Sequence, residues 1–362
     1  MKRREEEILE IIHENPLISQ KDIAAILNIT RSSVGVHINN LTKKGKIIGR
    51  GYVLSKTDKI VVLGGANIDF LGKPDEELIK DDSNIGKINI SIGGSARNIA
   101  ENLVRLGIET ELITAIGNDS NGDLIKNHCR KVGLRLSNAN FFDGETTSTF
   151  LGLKEQNGDL LYTVSDMSIM DLLTPSVIAQ KKSNIEHSEL IIMDTNLPQE
   201  TIEYIASNFS HKRILVDPVS VKKAVKLERI WKHIYYIQPN LKELEAMTNI
   251  NVDNAESLEK AVNILLEGGI THVLVTLGYK GAYYATKGEH FYVKAPKVEI
   301  VDPIGWIQAY FAGVAYGMYY DLSTKDSIDF GRFASALTLE STETISPWLN
   351  TNEIEERIKA DE

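Results

Sequence analysis

Residues 93–107 read GGSARNIAENLVRLG: a glycine pair, then a run with the spacing of a helix. Short apolar runs flank it, KIVVLGG at 59–65 and ELITAIG at 111–117, and a further helical pattern extends through Lys131. The alternation continues along the chain through ELIIMDTN (189–196), RILVDPV (213–219), IYYIQPN (234–240), THVLVTLG (271–278) and AYYAT (282–286). Strand-like runs alternating with helices predict an α/β fold around a mainly parallel sheet. Ligands of such sheets bind beyond the carboxyl ends of the strands. Six stretches occupy such places: Gly64–Asp69, Gly93–Asn98, Asp217–Ser220, Pro239–Glu243, Thr276–Gly281 and Asp302–Gln308. A single strand-end glycine is usually only a turn. Six such stretches in one order point to a site.

The chain has 362 residues, enough for two domains and a large core. Its one cysteine, Cys129, excludes an internal disulfide and suits a reducing cytoplasm. The N-terminal run MKRREEEILEII lacks the apolar core of a signal peptide. Residues 303–320 carry no charge, but Pro303 and Gln308 interrupt them and three Gly and four Tyr dilute them. They read as a buried helix rather than a membrane span, and no membrane partner is expected. The net charge of −10 is unevenly spread. Residues 1–59 hold 11 Lys/Arg against 7 Asp/Glu, whereas the remainder holds 29 against 43. A small basic head on a large acidic body suggests two functions.

In the head, a helix is predicted from about Arg3 to His13, ending before Asn15-Pro16. Ser19 starts a second helix, with Asp22 at its third position. A third helix runs from about Arg31 to Lys43, with Val34, Ile38 and Leu41 inward and Ser32, Ser33, His37 and Asn40 outward. Lys43-Lys44-Gly45-Lys46 then turns into a hairpin over residues 47–54. This order is that of a winged helix-turn-helix, whose third helix enters the major groove while the wing meets phosphates. Residues 19–54 resemble the DNA-binding heads of small bacterial repressors. Arg31, Ser32, Ser33, His37, Lys43, Lys46 and Arg50 are the candidate DNA contacts. Residues 23–57 hold six basic and no acidic side chains, which favours DNA over a protein-contact role. Domains are expected at 1–57 and 59–362.

The body resembles the PfkB, or ribokinase-like, family of carbohydrate and nucleoside kinases. The resemblance rests on GGSARNIAENLVRLG, on Asn240 and Glu243 of an N-x-x-E motif, on VTLGYKG (275–281) and on VDPIG…AYFAG (301–313). SDMSIMDLLTP (165–175), DPVSVKKA (217–224) and the fused head look most like the pseudouridine-kinase-like branch. The resemblance implies a three-layer α/β fold with a small β lid, its strands near 87–92 and 147–153. It implies that Asn67, Asp69 and Asn98 bind sugar hydroxyls and that Gly93 and Gly94 hinge at the substrate. Asn240 and Glu243 would organise Mg²⁺ through its waters, with Thr276, Gly278 and Gly281 close to ATP; a monovalent cation is a further candidate. Alone, Glu243 reads as a solvated helix face. Asp166 and Lys223 stand open between substrate or phosphate contact and no role.

One window departs from the family. Its last motif, D-T-x-G-A-G-D, ends in the Asp that takes the proton from the sugar hydroxyl, and its G-A-G backbone cradles the transferred phosphoryl group. Here Asp302 and Gly305 remain, Trp306 and Ile307 replace Ala and Gly, and Gln308 stands in the place of the base. An amide is no base near neutral pH, which costs about 10²–10⁴ in rate, and a spoilt anion cradle costs roughly another 10²–10³. These losses need not add. The sequence therefore carries two readings. One is a DNA-binding regulator that senses a sugar or nucleoside with little or no phosphotransfer. The other is an active kinase moving the ATP γ-phosphate to a sugar hydroxyl. A homodimer is expected, because winged heads pair on two half-sites.

Overall fold

Ser19 and Thr30 each accept a backbone N–H three residues on, from Asp22 and Ser33, and so start two short helices. These are α2 (Gln20–Ile26) and α3 (Arg31–Lys43), preceded by α1 (Arg3–Glu14). Ile8, Ile12, Ile23, Val34, Ile38 and Leu41 bury one another between the three. Lys44 pairs with the buried Glu5 at 2.6 Å, closing α3 onto α1. Arg31, Ser32 and Lys43 are exposed, whereas Ser33, His37, Asn40 and Lys46 are half-buried, so the outward face of α3 is narrower than its sequence suggests.

The computed structural model describes residues 3–15, 18–47, 59–155 and 160–361, so Arg50 and the expected hairpin beyond Ile47 lie outside the described residues. The chain divides into two compact units, Met1–Asp58 and Lys59–Glu362.

The second unit opens with β1 (Lys59–Leu63), β2 (Asn67–Pro74) and β3 (Gly86–Gly93), then α4 (Ser95–Arg105), β4 (Glu109–Ile113), β5 (Ala115–Gly117), α5 (Ser120–Val132) and β6 (Asn140–Phe142). Next come β7 (Thr149–Lys154), β8 (Leu160–Asp166), α6 (Pro175–Ala179), α7 (Lys182–Glu186), β9 (Leu190–Asp194), α8 (Gln199–Asn208), β10 (Arg213–Asp217) and α9 (Val221–Ala224). The last part holds β11 (Tyr236–Ile237), α10 (Leu241–Thr248), α11 (Ala255–Glu267), β12 (His272–Thr276), β13 (Ala282–Ala285), β14 (His290–Val293), α12 (Trp306–Tyr319), α13 (Thr324–Leu339) and α14 (Thr351–Asp361).

The main sheet has the order β14-β13-β12-β11-β10-β9-β1-β4. Its six strands from β12 to β4 are parallel, and β13 and β14 add an antiparallel edge. Successive residues of one strand face opposite layers. In β9, Leu190 and Ile192 join a core with α4, α5 and α12, while Ile191 and Met193 join one with α8, α10 and α11. Burial on both faces explains why these strands read as unbroken apolar runs.

A second sheet, in the order β3-β2-β7-β8, forms the lid. The two expected lid strands are present, but they do not pair with each other. Each pairs with β2, antiparallel for β3 and parallel for β7. The run VEIV at 298–301, taken from sequence as a strand before Asp302, is not one. Ile300 and Val301 are exposed, and the Val301 N–H bonds the Leu339 carbonyl at the end of α13 rather than a neighbouring strand. Among the described residues, no helix is long and apolar enough to cross a membrane, and the uncharged 303–320 stretch is α12 with its flanks.

Candidate active site

Three helix starts meet beyond the carboxyl ends of the parallel strands. The first is α4, entered from the lid strand β3 through Gly93 and Gly94. Gly94 has φ of 101°, and an added Cβ would collide with the Gly65 carbonyl and the Ala66 Cα. The tight turn brings the α4 backbone against the exit of β1. Asp194, at the end of β9, holds that contact: its carboxylate accepts the N–H groups of Gly65 and Ala96, both at 3.0 Å. Asn196 gives it two further bonds, from its backbone and its side chain.

The lid side carries the expected sugar-binding residues. Asn67 donates to Asp69 at 2.6 Å, and Asp69 sits on β2 opposite the hinge, against Gly93. Burial pushes the Asp69 carboxyl up, against the pull of the Asn67 amide and the Arg97 charge. Asn98 is buried on α4, and its Oδ1 has no protein partner. Unpaired buried acceptors cost free energy unless a ligand or water satisfies them, so Asn98 fits a donor from outside the protein.

Arg97, missed in sequence reasoning, clamps the hinge. It is fully buried, donates to the carbonyls of Ile92 and Gly93 and pairs with Glu101 at 2.7 Å. Burial works against the Glu101 charge, but bonds from His128 and Arg105 and the charge of Arg97 hold it down to about 2. Arg97 therefore ties the lid strand to α4.

The second helix start is α10. Asn240 and Glu243 form a reciprocal capping box: Glu243 N–H donates to Asn240 Oδ1 at 3.0 Å, and Asn240 N–H donates to Glu243 Oε2 at 2.9 Å. Glu243 is buried, not a solvated helix face. Burial and the nearby Asp217 raise its carboxyl to about 7. The capping box engages Oε2 and leaves Oε1 for a hydrated cation. Among the described residues, no group of three His, Cys, Asp or Glu side chains forms a metal cage. A water-mediated Mg²⁺ needs none.

The third is α12. Gly305 starts it at φ of 87°, where an added Cβ would strike the Thr344 carbonyl. Asp302 accepts the Ile304 N–H at 2.9 Å and shapes the turn. Gln238 holds the Ile307 carbonyl at 3.0 Å. Gln308 donates through Nε2 to Ser95 Oγ at 3.2 Å, and Ser95 Oγ donates in turn to Asp217 Oδ2. Residue 308 is thus brought onto the first turn of α4, three residues from Asn98. Trp306 does not fill the neighbouring space. It lines a cavity of about 420 Å³ with Gly278, Gly281, Lys294, Pro303 and Tyr310. Thr276 N–H bonds the Pro239 carbonyl at 2.9 Å, joining the exits of β11 and β12.

Of the two residues left open by the sequence, Asp166 lies apart from these contacts and Lys223 joins them. Asp166 is exposed at the end of β8 and accepts the N–H and hydroxyl of its neighbour Ser168. Lys223 donates to the side chain of Asn196, behind Asp194. Asp194 and Asp217 were missed as individual site residues, although both close strand runs that sequence marks, ELIIMDTN and RILVDPV.

The family model described as pfkB family carbohydrate kinase matches residues 57–352, and a winged helix-turn-helix DNA-binding model matches residues 1–48. The uncharacterized sugar kinase YeiI of Escherichia coli K12 is 33% identical over 97% of this chain and 98% of its own length. The pseudouridine kinase of the same organism is 30% identical over 82% of this chain and 95% of its own length. A sugar kinase structure from Clostridium perfringens superposes with a TM-score of 0.73 at 28% identity, covering 83% of this chain and 96% of that one.

Glu243 yields a prediction. A carboxyl held near 7 stabilises the fold fully below the ordinary value of 4.5, and that contribution is lost as pH rises through 7. Glu243→Gln keeps an acceptor for the Asn240 N–H but cannot ionise. Thermal melts of both proteins should coincide near pH 4.5, and the variant should melt higher at pH 8. Equal melting temperatures at pH 8 would contradict the buried-acid assignment.

Proposed function

The chain belongs to the pfkB family of carbohydrate kinases, and on that footing we propose that it is a DNA-binding regulator whose kinase-like body takes a sugar or nucleoside, with phosphotransfer weak or absent. The observation that carries this is the Gln308 amide at the head of α12, where the family resemblance places a carboxylate base, bonded to Ser95. An amide orients a hydroxyl but does not take its proton. The sugar side remains furnished: Asp69 with Asn67, the Gly93–Gly94 hinge under Arg97, and Asn98 with an unpartnered acceptor. Regulation requires the ligand to bind the DNA-competent and DNA-incompetent states with different affinity.

Glu243 Oε1 suits a hydrated Mg²⁺, which would supply charge neutralisation for bound phosphates. Replacing a carboxylate by Gln308 also removes one repulsion from those phosphates. The cavity of about 420 Å³ beside Gly278 and Gly281 favours the second reading, an active ATP-dependent kinase, because Trp306 walls that space without closing it. DNA binding would run through Arg31, Ser32, Lys43 and their neighbours on α3. A dimer would present two such heads.

Incubation with Mg-ATP and a panel of nucleosides and pentoses separates the two readings. The triple variant Trp306→Ala, Ile307→Gly, Gln308→Asp should turn over more than tenfold faster than the native chain. Turnover by the native chain within tenfold of the variant would establish the kinase reading instead. In the same panel, at least one sugar, nucleoside or nucleotide should raise the melting temperature of the native chain, since a ligand confined to the folded state must stabilise it. No shift with any of them would remove the pocket. For the head, log K for DNA against log salt should have a slope of several units, and a flat response would assign it to protein contacts.

A further inference from the structure

The chain Gln308–Ser95–Asp217 links the α12 start to a carboxylate 122 residues away in sequence from Ser95. Asp217 is held in one orientation. Val219 N–H donates to its Oδ1 at 3.0 Å, and Val219 adopts φ of 63°, a left-handed conformation that a β-branched residue rarely takes. Such strain concentrates where the surrounding structure fixes a functional group. Ser95 is half-buried and donates to Asp217, which is 3% exposed, so the hydroxyl is the more accessible end of the pair. Ser95 and Asn98 share one face of α4 at i, i+3, which puts that hydroxyl beside the sugar-binding acceptor.

We propose that Ser95 and Asp217 form a proton relay that stands in for the missing base and would carry the weak phosphotransfer of the reading above. The inference rests on the sugar or nucleoside pocket proposed above. In the step, the substrate hydroxyl oxygen forms a bond to the γ-phosphorus of a nucleoside triphosphate, and the bond from that phosphorus to the β,γ-bridging oxygen breaks, releasing the diphosphate. The hydroxyl proton passes to Ser95 Oγ as the Ser95 proton moves to Asp217 Oδ2. The Gln308 amide donates to Ser95 Oγ and so fixes which lone pair faces the substrate. Burial pushes the Asp217 carboxyl up, against the Ser95 and Val219 bonds, and the charge of Asp194 adds to the push.

The test uses the full chain with Trp306→Ala and Ile307→Gly, which opens the backbone cradle and keeps Gln308, under Mg-ATP and the nucleoside and pentose panel. Added D217N should lower phosphotransfer by about 10²-fold or more, within the range of a lost general base. S95A should do the same, and S95A with D217N should be no worse than either alone, because the two act in series. With Q308D also present, a carboxylate replaces the relay, and D217N should then cost less than about threefold. A structural role for Asp217 would cost the same in both backgrounds, and that result overturns the relay. Equal rates with and without D217N, or no transfer at all in the Gln308 background, overturn it too. Melting shifts on ligand addition are read in parallel. Their absence in the parent strikes the pocket itself, whereas intact shifts with no Gln308-specific effect strike the relay alone.

Discussion

One buried carboxylate organises the body. Asp194 lies at the end of β9, is 1% exposed, and accepts N–H groups from the β1 exit, from the first turn of α4 and from Asn196. A buried charge without partners would cost several kcal/mol, so the chain must bring these donors to it. Doing so fixes the distance between two strand ends and a helix start, and the hinge at Gly93–Gly94 follows. Asp217, Ser95 and Gln308 inherit their placement from that junction, one strand over. The site is therefore a consequence of how the sheet's carboxyl edge satisfies its polar groups, with the lid attached through Arg97.

Much of this was legible along the chain. Apolar runs buried on both faces announced the parallel strands, and the cap at Ser19 announced a helix start, whereas the cap at Thr30 and the box at Asn240 emerged only in the structure. Each depends on residues within a few positions of one another. VEIV misled because strand propensity needs a partner strand, and this segment bonds the Leu339 carbonyl at the end of α13 instead. Asp194, Asp217 and Arg97 escaped as individual site residues for a related reason. Their roles lie in contacts such as Ser95 with Asp217, which no local pattern encodes. For Glu243, the solvated helix face that its local sequence suggests is replaced by a capping box in a buried environment.

The head and the body differ in what their sequences reveal. The head's helices come from short-range capping and one small core. In the body, chemistry depends on the mutual position of side chains from five or more segments. A family resemblance transfers such positions more readily than periodicity does, and it also makes a local departure visible.

Helix α12 divides its labour along its length. Ala309 to Ala315 are buried against α4 and α13 and support the fold, whereas Trp306, Ile307 and Gln308 in the first turn are only half-buried. Substitutions in that first turn thus fall on the cheap end of an expensive helix. A change of side chain there alters the mouth of the site while the helix's buried contacts with α4 and α13 stay in place.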